Sequence, residues 1–366
     1  MDLIRTLRYS APTAARVYAY VMLAAGRAYT TTVDATTGTT GQTPVRTDEA
    51  VTAAASAAAV DAAGDMMLVF SQKPFVTDAF DVLRRAYKAG PNSADGLIED
   101  LLERERADRY EETLQTGHTI RETPWSWQPT GVQRMPFQHP GFGDLPALAA
   151  TSAKCDIPPP DLTVLEAEGR RMLLEVDLEE AISSPVIAWL GGPGSPTPSG
   201  LWLLLAASLA TREGLDAETT LRLLTAVAIA GYDGAIAAWR EKREHDLARP
   251  ETMWQRWTGD ETILPRETPP HPSYPSGHSV FSGAAAKVLR TLYGDTELAL
   301  TLQEEAGRPA ETYHYQNLAE ALTEVNASRV MAGFHYPLDT TTGEQLGGCI
   351  GAAVAEEIDT LMEGSL

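Results

Sequence analysis

The chain has 366 residues, enough for one large or two medium domains, and its 43% hydrophobic and 22% charged content is ordinary for a soluble globular protein. Its 50 acidic residues against 29 basic ones give a net charge of −21, and only five of the bases are lysines. A surface this acidic repels nucleic acid and anionic membranes, so neither is expected as a partner.

The first residues, Met-Asp-Leu-Ile-Arg-Thr-Leu-Arg, open a segment without the unbroken apolar run of a signal peptide. The most apolar stretch, 201–210, is about half as long as a membrane span requires. The chain as written therefore reads as soluble and cytoplasmic, with export left open. Its N-terminal third reads as helical. Residues 52–70 are alanine-rich with high helix propensity. A further helix is predicted over 77–91, from a Thr77 cap to a Gly90-Pro91 stop, and residues 93–114 continue near helical spacing. Residues 122–147 form a Pro/Gly/Trp-rich loop, too aromatic for disorder, and 156–161 (Asp-Ile-Pro-Pro-Pro-Asp) is the natural domain boundary.

Helical signals resume at 161–182, 200–213, 216–248, 276–293 and from about 310 to the end, with few alternating runs that suggest strands and no repeats. The expectation is an all-α protein of two helical bundles. An N-terminal helical domain covers 1–155 and ends in the Pro/Gly/Trp-rich loop; a C-terminal helical catalytic domain covers 156–366. Cys155 and Cys349 have no zinc-like spacing, and a disulfide between them stays open.

Three segments of the second domain carry chemistry. Lys242 and Arg249 are seven residues apart, ~700° on a continuous α-helix, which puts both on one face about 10 Å apart along the axis. Pro250 is expected to end that helix. Alone, the pair reads as a solvated basic face. In Pro275-Ser276-Gly277-His278, Ser276 suits a helix N-cap, Gly277 admits a ligand close to the backbone, and the free N–H groups form an anion site. His278 sits in the first turn, placed to exchange a proton; alone, it is also an ordinary exposed histidine after a cap. Arg329 and His335, six residues apart, share a pocket only if the helix bends or ends near Gly333 and Pro337. Asp339, four residues beyond His335, is close enough to accept a ring N–H. Alone, these fit a surface Arg–Asp pair and a satisfied histidine.

Together the three segments point to a tetrahedral oxyanion, which must not be buried unpaired. Arginine gives bidentate oxygen contacts, lysine a point charge, and two histidines can divide bonding to the central atom from proton transfer.

The motifs K-x6-R-P, P-S-G-H and S-R-x5-H-x3-D, in this order over 242–339, resemble the superfamily of vanadium-dependent haloperoxidases and type 2 phosphatidic acid phosphatases. The flanking segments, among them the helix bearing Trp239 and the loop before residue 147, are similar to the haloperoxidase branch. The resemblance implies that the C-terminal bundle holds vanadate, with Lys242, Arg249 and Arg329 on its equatorial oxygens and Ser276 and the Gly277 N–H adding hydrogen bonds. It implies that His335 bonds vanadium axially, that His278 is the acid–base group, and that Lys242 makes bound peroxide more electrophilic.

The implied activity is oxidation of halide by hydrogen peroxide to hypohalous acid, which halogenates a small organic acceptor; a homo-oligomer is compatible with it. His271 stands where bromoperoxidase-like members often carry histidine and chloroperoxidase-like ones an aromatic, which favours bromide or iodide. Two departures are Ala248, where the family commonly has tryptophan, and His245, where an aromatic is more usual. The same motifs fit a cofactor-free phosphatase acting on phosphate esters, in which His335 forms a phosphohistidine, Asp339 orients it and His278 protonates the leaving alcohol. They also fit a non-catalytic oxyanion-binding homologue.

Overall fold

The computed structural model describes residues 2–37, 49–70, 99–130, 134–175, 177, 179, 184–192, 194–260, 264, 267–302 and 311–364. The helix predicted over 77–91 lies outside them. The described chain is mainly helical, as expected. Its N-terminal helices are α1 (Asp2–Leu7), α2 (Ala11–Thr37), α3 (Glu49–Phe70), α4 (Glu99–Ala107) and α5 (Tyr110–Leu114). After two short 3₁₀ turns come α6 (Leu162–Glu175), α7 (Ser184–Ala188), α8 (Thr197–Glu213), α9 (Ala217–His245), α10 (Pro250–Thr258) and α11 (Gly277–Leu292). A hairpin of β1 (Leu298–Leu302) and β2 (Glu311–Tyr315) precedes α12 (Leu318–Met331) and α13 (Pro337–Glu363).

The hairpin corrects the expectation of helix from about residue 310. Its strands pair antiparallel, with Leu300 opposite Tyr313 and Leu298 opposite Tyr315. Leu298, Leu300 and Tyr315 are buried while Thr301 and Thr312 are exposed, the period of two expected of a half-buried ribbon. Thr-Tyr-His-Tyr is a β-prone run, too short to stand out against the helical segment that follows it.

Helix α9 is the axis around which the others pack. Asp216 caps it by accepting the Thr219 N–H at 2.8 Å. Its middle, 226–238, is mostly alanine and glycine and is buried throughout, so α2, α8, α11 and α13 approach closely. Among the described residues this is the one helix long and apolar enough to cross a membrane, and 83% of its apolar window is buried inside the protein. One hydrophobic cluster runs from Ile4 to Met362, so α2 shares its core with the C-terminal helices.

The Asp233 carboxylate, buried in α9, accepts the N–H groups of Leu148 (2.8 Å) and Ala149 (3.0 Å) and the Ser152 hydroxyl (2.7 Å), fixing the end of the Pro/Gly/Trp-rich connection. Cys155 and Cys349 are joined in a disulfide that ties that connection to α13.

Helices α11 and α13 meet backbone to backbone. Gly343, Gly347 and Gly351 recur every four residues along one side of α13. A Cβ on Gly343 would sit 2.7 Å from the Ser276 carbonyl oxygen, and one on Gly347 or Gly351 would strike the carbonyls of Val280 or Ala284. This contact sets the start of α11 beside the start of α13, where the Ser276 N–H donates to the Asp339 carbonyl at 3.0 Å.

Candidate active site

The spacing of Lys242 and Arg249 predicts one continuous helix, but the chain turns between them. Helix α9 ends at His245, Asp246 takes a left-handed conformation (φ 46°), and Arg249 immediately precedes α10. Aspartate tolerates that conformation better than most residues. Here its carboxylate is also held by His118 Nε2 (2.8 Å) and the Arg121 N–H (3.1 Å), and its carbonyl accepts the Trp127 N–H (2.7 Å). Pro250 begins α10, where it has no intrahelical N–H to lose. Lys242 and Arg249 thus come from two helices meeting at a corner, and both are fully buried.

Between α10 and α11 runs the proline-rich strap, residues 268–275. Arg249 braces it: Nε donates to the His271 carbonyl (2.9 Å) and Nη2 lies 3.0 Å from His271 Nδ1. Arg249 Nη1 donates to the Phe334 carbonyl (2.8 Å) and stands 3.4 Å from His335 Nε2. Lys242 Nζ donates to the carbonyls of Pro272 (2.8 Å), Ser273 (2.9 Å) and Pro275 (2.6 Å). Ser276 caps α11 by accepting the Ser279 N–H at 3.3 Å and also takes the Ser279 hydroxyl at 2.9 Å, which leaves its own proton to donate outward.

His335 lies in the turn between α12 and α13, after Gly333 (φ 70°). Its Nδ1 is 3.1 Å from Asp339 Oδ2, an oxygen that also accepts the Tyr336 N–H (3.2 Å) and the Ser273 hydroxyl. A carboxylate partner assigns the ring proton to Nδ1, so Nε2 presents its lone pair on the Arg249 side. Arg329 is buried near the end of α12. Its Nη1 is 3.3 Å from His278 Nε2, its Nε donates to Ser328 Oγ (3.2 Å), and its Nη2 has no partner. His278 Nε2 is also 3.2 Å from the Leu190 carbonyl.

The geometry therefore brings together Lys242, Arg249, His271, Ser276, Gly277, His278, Arg329, His335 and Asp339. His245 instead pairs with Glu241 (3.3 Å) and meets the Tyr274 ring edge-on at 5.3 Å between centroids. His271 packs against Trp239, with ring centroids 5.0 Å apart.

Sequence reasoning missed Ser273, which binds the Asp339 carboxylate, and the turn at Leu190-Gly191, which backs His278. A Cβ on Gly191 would lie 3.1 Å from His278 Nε2. No local pattern marks either residue; only the fold brings them to the site.

The pocket is short of negative charge. Burial pushes Arg329 down to about 9 and Arg249 down to about 10, with Arg249 adding repulsion on Arg329. Lys242 is lowered by burial and by Arg249. The three histidines are held neutral, first by burial and then by these cations. Burial raises Asp339 to about 6 despite its donors. A multiply charged oxyanion would relieve the lowered cations and histidines, though not Asp339, and give Arg329 Nη2 an acceptor. Among the described residues no group of three or more His, Cys, Asp or Glu is arranged for a metal cation. The donor set fits an oxyanion such as vanadate or phosphate.

Residues 222–364 match the family described as the VCPO second helical-bundle domain. The whole fold is similar to that of the first bacterial vanadium-dependent iodoperoxidase, with TM-score 0.76 and 23% identity over 97% of this chain and 93% of that one. It is also similar to a bacterial vanadium-dependent chloroperoxidase. The apo form gives TM-score 0.72 and 16% identity over 96% of this chain and 94% of that one; the holo form gives 0.71 and 15% over 99% and 93%. No curated protein matches the chain by sequence.

Proposed function

We propose that this chain, whose residues 222–364 belong to the VCPO second helical-bundle family and whose overall fold is that of bacterial vanadium-dependent haloperoxidases, is a vanadate-dependent haloperoxidase. The observation that carries the reading is the buried Arg329 Nη2, a charged donor without an acceptor in a pocket of three cations and one carboxylate. Such a donor costs stability unless a ligand meets it.

Arg329 and Arg249 would hold the oxygens of the oxyanion, with the Ser276 hydroxyl and the Gly277 N–H at the start of α11 adding neutral donors. His335, its proton fixed on Nδ1 by Asp339, would be the residue that offers a lone pair, from Nε2, to the central atom. Bound vanadate would supply a Lewis acid that polarises hydrogen peroxide without itself changing oxidation state. His278, its pKa lowered by burial and then by Arg329, would be the group placed to accept a proton from peroxide. The net reaction, halide plus hydrogen peroxide plus a proton giving hypohalous acid and water, makes the oxidant for an organic acceptor. His271 lies between Arg249 and Trp239, and the family resemblance at its position is what favours bromide or iodide over chloride.

The His335–Asp339 pair serves a phosphatase equally well, because the same Nε2 lone pair can attack phosphorus. One experiment separates the readings. Protein reconstituted with orthovanadate is assayed for peroxide-dependent bromination and iodination of a phenol dye, and vanadate-free protein for p-nitrophenyl phosphate hydrolysis. Dye halogenation is expected; phosphate release with no halogenation in either halide would replace the peroxidase reading by the phosphatase one.

A further inference from the structure

Away from the pocket, Arg27 of α2 is almost as deeply buried as the pocket's own arginines, with 2% of its side chain exposed. Its Nε donates to the Leu361 carbonyl in the last turn of α13 (2.7 Å), and its Nη1 donates to Asp100 Oδ2 at the start of α4. Its Nη2 is buried and meets no acceptor among the described residues. Arg104 stands one turn beyond Asp100 on α4. It gives its Nη2 to the Ala147 carbonyl (2.5 Å), and its Nε is also buried without an acceptor. The two guanidinium groups are close enough for Arg104 to repel Arg27. Burial and this repulsion hold Arg27 below its ordinary value despite Asp100.

Among the described residues Asp100 is the one acid in an ion pair with either arginine. Asp233 feels the charge of Arg104, but its oxygens already accept three donors. Two guanidinium groups and one carboxylate thus leave one positive charge and two buried N–H donors without a counterpart. Leaving them unmet is costly, and a water molecule would satisfy the N–H groups but not the charge. The geometry also selects the kind of anion. A carboxylate or oxyanion takes two parallel bonds from one edge of an arginine fork. Here every edge is already engaged at one end: Arg27 by Leu361 and Asp100, Arg104 by Ala147. A spherical ion, by contrast, accepts single N–H groups from separate directions.

We infer that Arg27 and Arg104 together form a halide site, which holds one chloride or bromide ion apart from the pocket at the start of α11. Leu361 lies 22 residues beyond Asp339 on the same helix, about 33 Å along its axis, so the two sites do not share a ligand. The ion joins α4 to α2 and, through Arg27 Nε, to the last turn of α13. The exposed side of Asp100, 48% accessible, gives it a way in from solvent. This site goes beyond the haloperoxidase reading and does not depend on it.

Thermal unfolding of wild type and Arg104→Met is compared in sodium chloride, sodium bromide and sodium gluconate at equal ionic strength. The readout is the halide increment over gluconate. A purely structural loss lowers all of the variant's melting temperatures alike, and any halide held in the α11 pocket contributes equally to both proteins. The increment is expected to be about 2–4 °C larger in wild type than in Arg104→Met. Equal increments would overturn the proposal.

Anomalous diffraction from wild-type crystals in bromide needs no variant. A bromine peak between Arg27 and Arg104 is expected, and a water in its place at saturating bromide would sink the idea. A peak together with equal melting increments would mean binding at crystal concentration only, which also counts against the site. Should Arg104→Met fail to fold, the peak must survive back-soaking to the bromide concentration that half-completes the wild-type increment; its loss there refutes the proposal. Failure of any of these arms leaves the haloperoxidase reading untouched, because dye halogenation with vanadate decides that separately.

Discussion

His335 Nδ1 stands 3.1 Å from Asp339 Oδ2, and this contact decides that Nε2 is the nitrogen offered to the pocket. Asp339→Asn keeps the shape but puts an uncharged amide against the imidazole, so ring orientation and basicity both suffer. Halogenation by the vanadate-reconstituted variant should fall about 10–100-fold. His335→Ala should abolish whichever activity the protein has. Steady-state kinetics with bromide and iodide test both, and an active His335→Ala would refute the assigned site.

Arg249 and Arg329 should respond differently to removal. Arg249 is a structural donor to the carbonyls of His271 and Phe334, whereas Arg329 Nη2 has no acceptor in the protein. Arg249→Met should destabilise the anion-free protein by about 1–3 kcal/mol per stranded carbonyl. Arg329→Met should leave its stability unchanged or raised while weakening phosphate binding by 10-fold or more. Melting and calorimetric titration of both variants check the contrast; equal loss of stability in the two would contradict it.

These assignments show which parts of the site could be read from sequence. Ser276, His278, His335 and Asp339 are fixed by local rules: a cap, a first turn, a helix break and a four-residue step. The corner between Lys242 and Arg249 was not readable, because Asp246 is locked by His118, 128 residues away in the chain. The prolines did announce their own effect, a shortage of N–H groups, but not which distant cation would meet it. Ser273 looks like any loop serine until α13 brings Asp339 to it. The hairpin failed for a different reason: five-residue strands beside strong helical signals give a period of two too few repeats to register.

The glycine contact between α11 and α13 should control the site from a distance. Gly347→Ala places a methyl against the Val280 carbonyl and must push the helices apart. Overpacking of this kind costs about 1–3 kcal/mol. Because the same contact sets Ser276 beside Asp339, phosphate affinity should fall together with the melting temperature. Gly348→Ala is the control, since no atom lies within 4 Å of its Cβ position. Matching behaviour in the two variants would remove the helix contact from the account.

The Cys155–Cys349 disulfide closes a separation of 194 residues, so it restricts the unfolded chain strongly. The double replacement Cys155→Ser/Cys349→Ser should lose about 2–4 kcal/mol of stability. Neither cysteine belongs to the pocket, so activity at 25 °C should survive. Denaturant unfolding with and without reductant tests this: wild type should drop to the variant's level on reduction, and the variant should not respond.

Asp233 gives a prediction with a definite sign in pH. Its carboxylate is buried in α9, and burial raises it from 3.8 to about 6, although Ser152 and the N–H groups of Leu148 and Ala149 pull the other way. Between pH 3.8 and about 6 the folded protein keeps a proton that the unfolded chain has released. The folded state then binds more protons, so this group's contribution to stability is full in acid and is lost as pH rises through about 6. The loss is at most about 3 kcal/mol. Asp233→Asn does not titrate and sets an amide NH₂ against a donor, so it should be less stable than wild type at every pH. Its deficit should nevertheless be larger at pH 4 than at pH 7, because only wild type gains from the proton. Denaturant titrations of both proteins at pH 4, 5 and 7 give the deficit directly, with titrations common to the two cancelling. A deficit that stays constant or grows toward pH 7 would show that Asp233 is ionised throughout and that its three donors outweigh its burial.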